Sequence, residues 1–218
     1  MPMSDLSHDQ FTAFLDTVIS KVCHDIISPI GAIHNGLEIL EEIGPDAGPD
    51  VIQLVAYSAQ QASAKLQAFR LAYGAGGNDG GLKPEEAHKT VEAIISADGK
   101  ITQEWNPNDQ AWFNDDRPEG FCKVLTCVLL LAIESLPKGG ALSVSTPENN
   151  AFQVSARGDG AFIREISDAA LNGRTPMEST DAHAVHAAMT ALNCKRFGYR
   201  LTLEQTEDTC ILFSLVKA

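Results

Sequence analysis

Two long apolar stripes joined by a short breaker constrain this chain more than any other feature. Phe11, Leu15, Val18, Val22, Ile26, Ile33, Leu37 and Leu40 recur mostly at steps of three and four, which places them on one face of a helix over 11–42. The segment GPDAGP at 44–49 ends it, because glycine and proline punctuate helices. Val51, Val55, Ser58, Ala62, Leu66, Phe69 and Tyr73 form a second stripe, a helix of about 25 residues and roughly 37 Å. So short a connection turns the pair into an antiparallel hairpin. Two helices alone cannot enclose stripes of this length. Pairing with a second copy into a four-helix bundle would cover them; packing on the rest of the same chain is the competing solution. Dimerisation through the hairpin is the expected one.

GAGGNDGG at 74–81 has the composition of a flexible linker and divides the chain into units 1–75 and 82–218. Beyond it the pattern becomes mixed. PEEAHKTVEAIIS, 84–96, reads as a helix with Pro84 suited to its first turn. KITQEWN, 100–106, alternates like a strand. PEGFCKVLTCVLLLAIESL, 118–136, reads as a buried helix ended by PKGG. ALSVST, 141–146, and AFQVSAR, 151–157, form a hairpin. DAHAVHAAMTALNCKRF, 181–197, is a helix that Gly198 terminates, and YRLTLEQ and TCILFSLVK close the chain as strands. The fold class is α+β.

Composition narrows the function. With 44% hydrophobic residues among 218 the chain can bury a core. A formal charge of −13 argues against nucleic acid, whose affinity rests on Lys and Arg neutralising phosphates, and against an anionic membrane surface; a basic protein partner is compatible. The five cysteines, Cys23, Cys122, Cys127, Cys194 and Cys210, include no C-x-x-C pair and read as reduced core thiols of a cytoplasmic protein. The opening MPMSDLSHDQ is too polar for a signal peptide. The longest apolar run, VLLLAI at 128–133, is too short to span a bilayer.

Inside the first helix lies KVCHDIISPIGAIHNG, 21–36, where a His-Asp pair precedes a proline by five residues. At about 100° per residue, His24 stands about 200° from Val22 and points outward. Ser20, Lys21, Ile27 and Ser28 are its neighbours three and four residues away, with Gly31, Asn35 and Glu38 further along that face. Pro29 lies near the stripe, removes one backbone hydrogen bond and bends the helix. A neutral imidazole is a nucleophile at neutral pH, and Asp25 can orient the ring or accept its proton. Small neighbours admit a bulky protein, and Ile27 gives that protein something to bury. The bland alternative is a solvated His-Asp pair on a helix surface. His183 and His186, at i,i+3, lack further metal ligands and read as surface histidines. Trp105 and Trp112 read as packing residues, and 114–116 with Arg117 as a solvated turn. His34 lacks the following acid and correctly spaced proline; His8 and His88 carry no signal.

HDIISP at 24–29 resembles the H-box of sensor histidine kinases, H-[ED]-x-x-x-P. FCKVLTCVLLLAIESLPKGGALSV, 121–144, is similar to the kinase ATP-domain segment in which a helix bearing N-x-x-x-N-A is followed by P-x-G-G and a strand. The departures matter. Cys127 and Leu131 stand where that pattern has asparagines, and Leu131 offers magnesium no oxygen. GDGAF, 158–162, stands where D-x-G-x-G is expected, with Gly158 for the Asp and Phe162 for the last glycine; Asp159 is a shifted candidate. EISDAALNGRTPMEST holds a single glycine in place of a glycine-rich lid, and no Walker-type loop occurs.

A kept histidine beside a degenerate nucleotide site resembles the ChpT-type histidine phosphotransferases of bacterial phosphorelays. That resemblance implies a hairpin dimerising into a four-helix bundle and a C-terminal α/β-sandwich module resembling a histidine kinase ATPase domain. It implies a shuttle between the aspartate of a hybrid kinase's receiver (CckA-like) and those of response regulators (CtrA- or CpdR-like), without ATP. His24 is then the phospho-acceptor and Asp25 its adjacent acid, while Ile27 replaces the usual basic residue. No cofactor or metal is expected on this chain; magnesium comes with the receiver. Ile27, Ser28, Gly31, His34, Asn35 and Glu38 form the expected docking face. Two alternatives stand beside this reading: an ATP-dependent histidine kinase with an atypical site, and a non-catalytic dimeric interaction module or kinase inhibitor.

Overall fold

The computed structural model describes residues 7–74, 82–96, 99–108, 118–147, 151–206 and 209–217. Helix α1 spans His8–Ile43 and starts on a capping box: Ser7 accepts from the Gln10 backbone N–H while the Gln10 side chain accepts from the Ser7 N–H. A 3₁₀ turn, Gly44–Ala47, leads into α2, Gly48–Tyr73. The two helices close on Gly36: a Cβ there would sit 2.5 Å from Val55 Cγ2, so only glycine permits this approach.

The rest of the chain is a two-layer module. Its helices are α3 (Pro84–Ile95), α4 (Phe121–Glu134), α5 (Glu165–Leu171) and α6 (Val185–Arg196). Its strands are β1 (Ile101–Gln103), β2 (Gly140–Ser145), β3 (Ala151–Arg157), β4 (Tyr199–Thr206) and β5 (Cys210–Lys217). The sheet order is β1-β2-β3-β5-β4, with β1 and β2 parallel and the other pairs antiparallel. Leu142, Val154, Ile211, Phe213 and Leu215 point to one face and are buried, and their alternating neighbours include Ser143, Ser155 and Ser214. This period of two means that one face meets helices and the other meets water. Every residue of α4 from Phe121 to Ala132 is buried, because the sheet covers one side and α2 and α6 cover the other. Ala68 and Ala72 of α2 pack on Cys127 and Leu130 of α4.

Several expectations need correction. The seven-residue α5 was not foreseen. β1 holds three residues, not seven. Leu66 belongs to the apolar stripe of α2 but is exposed; the buried face uses Ala64, Ala68, Leu71 and Ala72 instead, because α4 approaches α2 where the side chains are small. Cys23 is exposed and Cys210 half-buried, so the thiols are not uniformly core. His186 is buried. His88 and Trp105 pack edge to face, with centroids 4.9 Å apart. Gly198, at φ 67°, ends α6 as expected. Residues 75–81 of the linker, Trp112, 114–116 and Arg117 lie outside the described residues.

Candidate functional site

His24 stands on α1 with its side chain 84% exposed, as its angular position dictates. Its Nδ1 lies 3.2 Å from Asp25 Oδ1, and the other oxygen, Oδ2, accepts from Lys21 Nζ at 2.8 Å. Lys21 and Asp25 are each only 17% exposed. Burial pushes the Asp25 carboxyl up, but the hydrogen bonds from Lys21 and His24, with the charges of Lys21 and Lys65, outweigh it and hold the pKa below the ordinary value. Asp25 is therefore an anion at neutral pH. As an acceptor it favours the tautomer that carries its hydrogen on Nδ1, which leaves the Nε2 lone pair facing solvent.

Pro29 explains the local backbone. It lacks an N–H, so it cannot donate to the carbonyl four residues earlier, which belongs to Asp25. Lys65 Nζ reaches that carbonyl from α2 at 3.4 Å. Pro29 itself is buried while the helix continues through it.

The expected docking residues are brought together. Ile27, 65% exposed, stands beside exposed Ser28, His34, Asn35 and Glu38. Gly31 is half-buried, and a Cβ there would meet nothing within 4 Å. His34 Nε2 and Glu38 Oε1 are 3.3 Å apart. Three residues of α2 were missed. Gln61 on α2 donates to the Ala93 carbonyl of α3, marking where the module meets the hairpin. One and two turns further, on the same side of α2, Tyr57 and Leu54 are exposed. Their signal was available, since they are large apolar side chains off the main stripe.

A second polar group lies between hairpin and module. The Tyr73 hydroxyl is hydrogen-bonded to His186 Nδ1, and Phe69 stacks on Tyr73 with centroids 5.6 Å apart. His186 Nε2 faces Glu134 Oε1 at 3.7 Å. Burial depresses His186 to about 4, so it is neutral, and burial raises Tyr73 well above its ordinary value, so it keeps its proton. Burial also raises Glu134, to about 7, against the opposing charges of Lys21 and Arg164.

The positions compared with a nucleotide site are packed. Cys127 Sγ is 3.4 Å from the Ala72 carbonyl and accepts from Asn193 at 3.3 Å; burial pushes its thiol up to about 12. Leu131 is fully buried. Lys123 donates to the Gly74 carbonyl, and Asp159 pairs with Lys138 at 2.9 Å. Among the described residues no group of three His, Cys, Asp or Glu could hold a metal ion, and no helix is long and apolar enough to cross a membrane.

Comparison with known proteins gives a consistent set of likenesses. A family model described as the histidine phosphotransferase C-terminal domain matches residues 84–209. The chain is 32% identical over 203 residues to the protein phosphotransferase ChpT of Brucella abortus (strain 2308), covering 89% of this chain and 91% of that protein. A solved structure of a bacterial phosphotransferase matches with a TM-score of 0.75 at 30% identity, covering 96% of this chain and 97% of that one.

Proposed function

The chain belongs to the ChpT-type histidine phosphotransferases of phosphorelays, and from that premise we propose that His24 is its phospho-acceptor, shuttling a phosphoryl group between receiver-domain aspartates without ATP. The observation that carries this is the outward imidazole whose Nδ1 is held by a carboxylate. Nε2 attacks the phosphorus of the receiver's aspartyl phosphate. The N–P bond forms, the P–O bond to the aspartyl carbonyl carbon's oxygen breaks, and the carboxylate leaves with the electron pair. The ring keeps its Nδ1 proton, and Asp25 offsets the positive charge of the phosphorylated imidazole. The reverse step delivers the group to a second receiver. Such transfer needs in-line alignment more than covalent help, so docking dominates. Magnesium belongs to the receiver; the buried Cys127 and Leu131 side chains offer it no oxygen.

The two units divide this work in our reading. The hairpin, 1–75, carries acceptor and dimer face; the module, 82–218, supports it. Ile27, Ser28, Gly31, His34, Asn35 and Glu38 dock the receiver, with Tyr57 and Leu54 extending the face onto α2. Leu15, Ile19, Ile30 and Leu37 of α1 are exposed on a different face, and with Ile52 and Leu66 of α2 they supply the apolar surface a homodimer would bury. Hybrid-kinase receivers of the CckA kind and regulators of the CtrA or CpdR kind are the proposed partners.

The test is radiolabel transfer. Incubation with a phosphorylated receiver labels the wild type and not His24→Gln, and labelled ATP alone gives no label. Transfer surviving in His24→Gln, or labelling by ATP alone, overturns the proposal.

A further inference from the structure

The two carboxylate oxygens of Asp25 serve different partners. Oδ2 accepts from Lys21 Nζ at 2.8 Å, while Oδ1 lies 3.2 Å from His24 Nδ1. We propose that Lys21 is a positioning residue: by engaging one oxygen it turns the other onto the ring, and so fixes the tautomer that presents Nε2 to a receiver. This rests on His24 being the acceptor.

Helix stability does not account for the Lys21–Asp25 pair. The better order for an ion pair one turn apart puts the acid first, and here the lysine comes first. Exposure also sets the pair apart. His34 and Glu38, at the same spacing on the same helix, are 72% and 59% exposed, a solvated pair of little worth. Lys21 and Asp25 are each 17% exposed, while His24 beside them is 84% open. A carboxylate so covered needs a donor. Side chains on a helix lean toward its N-terminus, so that of Asp25 reaches back over the turn that carries Lys21.

An exposed imidazole without a fixed partner exchanges between its two tautomers, and a fixed acceptor at Nδ1 selects one of them. The carboxylate has an alternative cation in Lys65, whose Nζ already reaches the Asp25 backbone carbonyl at 3.4 Å. With Lys21 removed, the carboxylate turns toward that ammonium or toward water and releases the ring. Lys21 and Lys65 thus divide Asp25 between them, one holding its side chain and the other its backbone.

The test reads the ring directly. Isotopically labelled imidazole nitrogens give distinct magnetic-resonance shifts when protonated and when bare, and the signals lost in His24→Gln identify those of His24 among the six histidines. At about pH 8.5, above the ordinary imidazole range, wild type is expected to hold the hydrogen on Nδ1. Lys21→Met is expected to shift it toward Nε2, and Lys21→Arg, which keeps charge and reach, to restore it. Single-turnover transfer from one phosphorylated receiver is expected to fall about two- to twelvefold in Lys21→Met, the worth of one hydrogen bond to an exposed side chain. Made in an Asp25→Asn background, where the shared carboxylate is gone, the same substitution is expected to cost nothing further. Should Lys21→Met fail to fold, Lys21→Gln, whose donor is neutral and shorter in reach, is read in the same way. A tautomer unchanged by loss of the Lys21 ammonium, or a transfer loss undiminished in Asp25→Asn, overturns the proposal. Transfer persisting in His24→Gln removes the premise instead, and the tautomer measurement does not depend on it.

Discussion

Asp25→Asn separates two roles that a carboxylate beside a nucleophilic imidazole can play. Asparagine keeps the shape and one acceptor oxygen but cannot take a proton. If Asp25 orients the ring, the loss is set by one hydrogen bond. That bond is 3.2 Å long and is made to a side chain 84% open to solvent, so its net worth is about 0.5–1.5 kcal/mol. This corresponds to roughly a two- to twelvefold change in rate, and the retained amide oxygen argues for the lower half of that range. If Asp25 were the general base, the loss would be about 10²–10⁴. Rapid-quench transfer from a phosphorylated receiver reads the difference. A rate within experimental error of wild type refutes the orienting role, and a loss beyond a hundredfold makes Asp25 a proton acceptor. Stability gives an internal check. The folded Asp25 lies below its ordinary 3.8, so its contribution is fully present above that value and disappears as pH falls through the folded one. Wild type and Asp25→Asn therefore differ in melting temperature at neutral pH and converge in acid.

Two further perturbations address the assembly and the backbone. Ile30→Glu places a charge in the exposed stripe of α1; sedimentation equilibrium should then find monomer with unchanged helix content, and an unweakened dimer would count against that face. Lys65→Met removes the donor to the Asp25 carbonyl; it should cost about 1 kcal/mol, lower the melting temperature by roughly 2–4 °C, and slow transfer a few-fold. Retention of both wild-type stability and wild-type rate would mean that the carbonyl does not depend on Lys65.

How much was legible in the sequence depended on the range of the signal. The stripes of α1 and α2 were readable because burial on one face of a helix repeats every 3.6 residues. The alternation of Ile211, Phe213 and Leu215 gave β5 for the corresponding reason in a strand. α5 escaped because seven residues with two acids and two alanines make no stripe. The module-facing side of α2 escaped because it is written mostly in alanine, which a search for large side chains passes over. His186 could not have been placed: its partner Tyr73 is 113 residues away, and no local pattern in HAVH distinguishes a buried imidazole from a solvated one. For the candidate site, His24, Asp25 and their open surroundings were local properties of one helix. The reach of Lys65 to the Asp25 carbonyl was not, because it arises only when α2 is laid against α1.

The oddity of a proline inside α1 resolves at the same level. A residue without an N–H leaves a carbonyl four positions back in need of a donor, and with Pro29 at that spacing the carbonyl belongs to Asp25, the residue next to His24. Lys65 crosses from α2 to reach it, while the side chain of the same Asp25 is engaged by Lys21 and faces His24. Asp25 is thus engaged through backbone and side chain by groups on both helices of the hairpin. Moving the proline by one residue along the helix would shift the orphaned carbonyl by about 100° around its axis, out of line with Lys65. The five-residue interval between His24 and Pro29 therefore has a mechanical meaning. It ties the backbone beside His24 to the second helix, while the imidazole itself remains exposed.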